Sequence, residues 1–268
     1  MDAGKKAVQE FWEQSSCGEE LYLGSLDQDG YARHARQRYE LEPYIEKFAA
    51  FPAAQGKEVL EVGVGLGADH QKFAEAGALL YGIDLTERAV SHVQRRFGLL
   101  NLNSRLLSAD AESLPFKDSA FDIVYSWGVI HHSPNTPKAV AEIHRVLRNG
   151  GTARVMIYHT WSLVGYMLWI RYALLRFRPW MTLAEVYSRY LESPGTKAYS
   201  VQEAERMFAS FASVDVRTVL THGDLLESAA GQRHSGIILS LARTLWPRRL
   251  LRKFASGHGL FMLITAVR

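Results

Sequence analysis

Three glycines, three acids and four histidines are the residues of this chain whose spacing could do chemistry. In Glu58-Val-Leu-Glu-Val-Gly-Val-Gly-Leu-Gly67 an apolar run carrying Glu61 ends on Gly63, Gly65 and Gly67. A turn of this kind tolerates unusual dihedrals and lets the backbone approach a ligand closely. A second apolar run, Ala78 to Ile83, ends on Asp84, an acid placed to accept hydrogen bonds from ribose hydroxyls. A third run reaches Asp110 and Ala111. Strand, glycine turn, helix, strand and acid together describe a nucleoside-binding α/β unit.

The spacing discriminates between nucleosides. A dinucleotide turn reads G-x-G-x-x-G and faces a pyrophosphate. Here it reads G-x-G-x-G, with Glu61 two residues before Gly63. A carboxylate at that place would repel a pyrophosphate but suits an ammonium. Plainer readings exist for each residue. The glycines could serve only a tight turn, Asp84 could cap the helix expected from Thr86, and Glu61 could cap a backbone amide.

The run E-V-G-x-G-x-G resembles the first motif of class I S-adenosylmethionine-dependent methyltransferases. Further on, Asp110-Ala111 with Leu114-Pro115-Phe116, then Phe121-Asp122-Ile123-Val124, then His131-His132, are similar to motifs of the quinone-modifying C-methyltransferases. The resemblance spans roughly residues 57–160, and departs from the family at Asn149, where proline is common. It implies S-adenosylmethionine as cofactor, with Asp110 and Ala111 against the adenine and Leu85 packed on its face. It also implies that Tyr31, Arg38 and Tyr39 close over the cofactor from an N-terminal helix.

Transfer of a sulfonium methyl needs no metal, only donor and acceptor held in near-attack geometry and, for a hydroxyl or ring carbon, a base for the proton. His131 follows the fourth strand and is the expected base, with His132 supporting the loop. Tyr158 and His159 after the fifth strand, and His222 and Asp224 after the sixth, fall at matching edges. Two ligands are too few for a defined metal site at His222 and Asp224. The single cysteine, Cys17, excludes cysteine-based zinc sites and an intramolecular disulfide.

These residues need a doubly wound, mostly parallel seven-stranded Rossmann-like α/β sheet to position them. Strands are expected at 59–64, 78–83, 106–110, 121–126, 154–158, 214–220 and 259–267, and Asn149-Gly150-Gly151 is expected to stop a helix running from Ala139 to Leu147. Residues 1–56 read as a helical cap, with helices over Ala7–Glu13 and Tyr31–Phe48. Residues 57–268 read as the nucleoside-binding domain, with helical insertions at 161–211 and 223–257. Helices are expected there over Leu163–Leu175, Leu183–Tyr190 and Val201–Phe208, with a plain turn at Ser193-Pro194-Gly195-Thr196.

A chain of 268 residues with 47% hydrophobic and 22% charged residues suits one large core. A net charge of +3 is too small to imply nucleic acid. The N-terminus lacks an apolar signal segment, so a cytoplasmic location is expected. Trp161–Trp180 and Trp246–Lys253 mix apolar and basic residues. For Trp161–Trp180 a core helix with snorkelling arginines is favoured over a ligand lid, beside a partly apolar acceptor pocket; for Trp246–Lys253 a solvated basic helix is favoured over peripheral contact with an anionic membrane surface. The expected function is methyl transfer to oxygen or a ring carbon of a small, partly apolar molecule. Other chemistry in the same pocket, sulfonium-based or nicotinamide-dependent, and a non-catalytic cofactor-binding subunit are the alternatives.

Overall fold

The structure is a computed structural model that describes residues 3–227 and 244–268, so part of the expected 223–257 insertion lies outside the described residues. The strands are β1 (Glu58–Val62), β2 (Leu79–Asp84), β3 (Arg105–Ser108), β4 (Phe121–Trp127), β5 (Leu147–Tyr158), β6 (Ser213–Val219) and β7 (Phe261–Val267). They form one sheet of order β3-β2-β1-β4-β5-β7-β6. Only β7 runs antiparallel to its neighbours, pairing β5 and β6.

The helices are α1 (Ala3–Gln14), α2 (Gln28–Leu41), α3 (Ile45–Ala49), α4 (Ala68–Glu75), α5 (Glu87–Leu100), α6 (Thr136–Val146), α7 (Leu163–Tyr172), α8 (Leu183–Tyr190), α9 (Val201–Met207) and α10 (Arg248–Phe254). The central strands are apolar on both faces because both faces are covered, as parallel sheets require. On one face Val59, Tyr125 and Met156 pack with Phe48, Phe51, Phe73 and Phe97. On the other, Leu60, Val124 and Val155 pack with Ile143 and Phe208. Ile45, Phe48 and Ala49 of α3 belong to the first cluster, so the N-terminal segment shares the apolar core of the sheet.

Two differences from the sequence reading have a clear local cause. The single helix expected over Tyr31–Phe48 is broken at Glu42, whose ψ of 60° is non-helical, because the following Pro43 disfavours the helical region for its predecessor. The turn expected at Asn149-Gly150-Gly151 is absorbed into β5, which begins at Leu147 directly after α6. Gly150 takes a φ of 77°, and the pairing of β4 with β5 shifts register between Phe121 and Ile123 to accommodate the extra length. The caps at Thr86, Thr182 and Ser200 all accept from backbone amides as side-chain N-caps do.

Candidate active site

The strand order reverses between β1, with β2 on one side, and β4 on the other. A crevice opens at such a reversal, at the carboxyl ends of the strands. A cavity of about 1170 Å³ lies there. Its polar half is bounded by Glu61, the glycine turn, Asp84, Leu85, Asp110 and Ala111. Its apolar half is bounded by Met167, Leu168, Leu191, Leu260 and Phe261. All eight residues expected at the cofactor therefore line one space.

The turn needs its glycines for separate reasons. Gly63 has a φ of 85°, and a Cβ there would lie 2.1 Å from Val129 Cγ2. Gly67 has a φ of 77° at the start of α4, where a Cβ would lie 2.9 Å from Val93 Cγ2. Gly65 has a φ of 49°, and a Cβ there would meet nothing within 4 Å, which leaves its backbone open to the cavity. Asp84 ties the turn down: Oδ2 accepts from Gly65 N at 3.2 Å, and Oδ1 accepts from Thr86 N at 3.0 Å and Thr86 Oγ1 at 2.8 Å. The cap of α5 is Thr86, not Asp84. Burial holds the Asp84 carboxyl above its ordinary value, against these hydrogen bonds.

Glu61 is buried, with Oε2 2.8 Å from His70 Nδ1. Burial, then the charge of Asp69, raises its pKa well above the carboxylate range; a cation arriving in the cavity would reverse that. Asp69 is buried too, which raises its pKa, yet it stays low because the Arg38 charge and hydrogen bonds from Arg38, Tyr125 and Tyr39 together outweigh the cost of burial. Arg38 donates to it from Nε at 3.1 Å and Nη2 at 2.6 Å, and Tyr39 and Tyr125 donate at 3.0 and 2.8 Å. Arg38 lines the cavity, but Tyr39 and Tyr31 do not. The expectation that these tyrosines close over the cofactor is corrected: Tyr39 braces Asp69, and Tyr31 is buried with its hydroxyl 3.0 Å from His92 Nδ1.

Glu42 also lines the cavity, though no motif in the sequence marks it. Burial pushes its carboxyl up to about 7, with Arg38 opposing. A carboxyl whose pKa is raised in the fold binds its proton more tightly there than in the unfolded chain. Its stabilising effect is complete below its ordinary value of 4.5 and is lost as pH rises to about 7. Glu42→Gln should therefore match the wild type in thermal unfolding near pH 4.5 and exceed it above pH 7, by roughly 3 kcal/mol. Parallel pH profiles for the two proteins would contradict this assignment.

The roof comes from α1, which the sequence marked only as a helix. Lys5 Nζ reaches Asp110 Oδ2 at 2.5 Å and Glu112 Oε2 at 2.9 Å, and Gln9 Nε2 donates to Leu85 O at 3.0 Å. Phe11 and Trp12 line the cavity beside it. Nothing local in residues 3–14 signals these partners, which lie more than seventy residues away in the chain.

At the far end of the cavity the histidine assignments reverse. His132 lines the space, and His131 does not. His131 is wholly buried, with neither ring nitrogen hydrogen-bonded, and its ring sits 4.0 Å from that of Tyr158. Burial drives its pKa well below the ordinary histidine value, so it is neutral. His131 is thus packed behind the wall, and the expectation that it faces the methyl group is corrected. The loop after β4 turns tightly, His132 N donating to Val129 O at 2.9 Å and Ser133 N to Ile130 O at 3.2 Å, and the two histidine rings lie side by side with centroids 4.3 Å apart, only that of His132 reaching the cavity.

The turn expected to be plain is what holds His132. Ser193 and Thr196 are buried, with hydroxyls 2.8 and 3.1 Å from His132 Nδ1. His132 Nε2 lies 3.4 Å from Glu192 Oε2, which accepts the Tyr158 hydroxyl at 2.7 Å. His131, His132 and Glu192 each offer a metal-ligating atom within 4.8 Å of the others, a grouping that residue spacing did not reveal. His159 is corrected as well: it is buried off the cavity, Nδ1 3.2 Å from Gly259 O. His222 does line the cavity, whereas Asp224 is consumed by Val164 N, Thr221 N and Leu260 N. Cys17 is exposed and opens onto the cavity.

A mixed sheet of order β3-β2-β1-β4-β5-β7-β6, a glycine turn after β1 and acids after β2 and β3 define a Rossmann-like methyltransferase fold. Residues 60–155 match the family described as a methyltransferase domain. The chain is 31% identical over 152 residues to demethylmenaquinone methyltransferase of Tropheryma whipplei, covering 55% of this chain and 62% of that one. It is 40% identical over 98 residues to phthiotriol/phenolphthiotriol dimycocerosates methyltransferase 1 of Mycobacterium ulcerans, covering 36% and 35%. The chain thus spans less than two thirds of the length of these curated relatives. Among solved structures, phosphoethanolamine N-methyltransferase 2 of Haemonchus contortus superposes with a TM-score of 0.61 at 17% identity, over 97% of this chain and 60% of that one. The match over residues 60–155 and the two relatives place that part of the chain with methyltransferase domains, and the solved structure shares its fold.

Proposed function

We propose that the chain transfers the methyl group of S-adenosylmethionine to an oxygen or ring carbon of a small, partly apolar molecule. One observation carries this reading. A single cavity joins the open backbone of Gly65 and the acids Asp84 and Asp110 to an apolar wall, and His132 lines it. The adenosine would lie against Asp84, Leu85, Asp110 and Ala111, and the amino-acid end against Glu61 and the Arg38–Asp69 pair. The cofactor supplies an electrophilic methyl when bound. The protein's part is to hold the acceptor in line, exclude water under α1 and take up a proton at His132. His222 and Tyr158 line the acceptor side and shape it. No metal enters this reading. The names of the two relatives, a quinone and a dimycocerosate methyltransferase, fit an apolar acceptor wall.

Titration calorimetry with S-adenosylmethionine and with nicotinamide dinucleotides tests the cofactor. Binding of the sulfonium cofactor alone is expected, and selective binding of a dinucleotide would overturn the reading. Asp84→Ala should weaken cofactor binding by roughly 1.5–3 kcal/mol, the worth of a hydrogen bond to a charged group. Unchanged affinity in a folded variant would remove Asp84 from the site. Transfer of labelled methyl into organic-extractable metabolites then separates an enzyme from a binding subunit.

A further inference from the structure

Large apolar side chains stand in solvent in two segments of this protein. Phe177 is 87% and Trp180 75% exposed after α7; Leu245 is 80% and Phe254 74% exposed around α10. Scattered single exposed residues are ordinary, but aromatic groups of this size grouped in two short segments are not. The same segments carry the charge. Residues 161–180 contain Arg171, Arg176 and Arg178, and residues 244–258 contain Arg248, Arg249, Arg252 and Lys253, with no acid in either. That is seven positive charges in a chain whose net charge is +3.

The fold brings the two segments to one place. Trp246 Nε1 donates to Asp224 O at 2.9 Å, and Asp224 Oδ1 accepts from Val164 N at the start of α7 at 3.1 Å. His258 Nδ1 lies 2.9 Å from Trp161 O and 3.2 Å from Tyr166 Oη. Ile170 and Leu175 from the first segment and Trp246 from the second line the same cavity, and Ile170 and Leu175 are also open to solvent. The apolar end of the cavity therefore opens among the exposed aromatic and basic residues. No described helix is long and apolar enough to cross a membrane.

We propose that this face docks on an anionic lipid bilayer, with Phe177, Trp180 and Phe254 entering the interface and Arg176, Arg178, Arg249 and Lys253 meeting lipid phosphates. Aromatic side chains partition into that zone, and each basic residue near an anionic surface strengthens attachment about fivefold. Docking in this orientation turns the open apolar end of the cavity towards the membrane, so an apolar acceptor passes between the two without crossing water.

The test is sedimentation of the full chain with phosphatidylcholine vesicles in which one lipid in three is phosphatidylglycerol, against pure phosphatidylcholine. Phosphatidylglycerol-dependent binding is expected. It should weaken at least tenfold in Phe177→Ser/Trp180→Ser and, separately, in Arg249→Gln/Lys253→Gln, and fall as salt is raised. Unchanged thermal unfolding checks that these exposed substitutions leave the fold intact. Equal binding to both vesicle types, or wild-type binding in both variants, overturns the proposal. So does a self-associated protein that ignores vesicles and is made monomeric by Phe177→Ser/Trp180→Ser, since the patch would then be covered by a second copy. The readout is independent of methyl transfer, so it stands or falls apart from the proposed activity.

Discussion

Gly63→Ala should lower the unfolding free energy by about 3 kcal/mol and weaken cofactor binding at the same time. Two costs combine. A left-handed backbone costs a residue with a Cβ roughly 1–2 kcal/mol, and Gly63 sits at a φ of 85°. The added carbon would also lie 2.1 Å from Val129 Cγ2, well inside contact distance, so β1 and the loop after β4 must part. Overpacking of this kind costs roughly 1–3 kcal/mol. In a chain of this size the sum corresponds to a fall in melting temperature of roughly 5–10 °C.

The steric share can be isolated. Val129→Ala removes the two methyl groups that the new Cβ would strike, so the double variant should be more stable than the two single losses added together, by about 1 kcal/mol or more. Gly65→Ala makes the contrast, because a Cβ there meets nothing within 4 Å. Its stability loss should be limited to the backbone term, while cofactor affinity should still fall, since the open side of Gly65 faces the cavity. Strictly additive losses in the Gly63–Val129 cycle would show that the turn relaxes freely and that its geometry is not fixed by β4.

The contrast between what the sequence revealed and what it hid follows from the range of the interactions. Gly63, Gly65 and Gly67 are demanded by local dihedrals and close approach, and Asp84 and Asp110 end apolar runs, so each is legible within a few residues. The central strands are legible for the same reason: a strand covered on both faces must be apolar along its length, as Val59, Leu60 and Val62 are. Lys5, Trp12, Glu192, Ser193 and Thr196 are not legible. Each matters through a partner that the fold brings from elsewhere: Lys5 for Asp110, Trp12 and Ser193 for His132. The error over the histidines is of a third kind. His131 and His132 have identical chemistry, and only the turn after β4 decides which faces the cavity; the one-residue difference sends one ring into the core.

His132→Ala should lower turnover about a hundredfold or more, the ordinary contribution of a positioned base, with little change in cofactor affinity. The geometry behind this is specific. Ser193 and Thr196 fix the ring through Nδ1, and Glu192 faces Nε2 at 3.4 Å while taking the Tyr158 hydroxyl. The carboxylate can therefore stabilise the imidazolium formed when His132 takes the acceptor's proton. His131→Leu, which keeps bulk behind the wall, should leave turnover within a few-fold, because the His131 ring makes no hydrogen bond and does not line the cavity. For an ionisable acceptor, turnover of His132→Ala should recover as pH rises through the acceptor's own pKa, where no base is needed. Glu192→Gln should lose part of the rate by weakening the support of the imidazolium. Steady-state kinetics of the three variants against pH decide the matter. A large loss in His131→Leu with normal turnover in His132→Ala would restore the order read from sequence, and a loss in His132→Ala confined to cofactor affinity would make that ring a binding group.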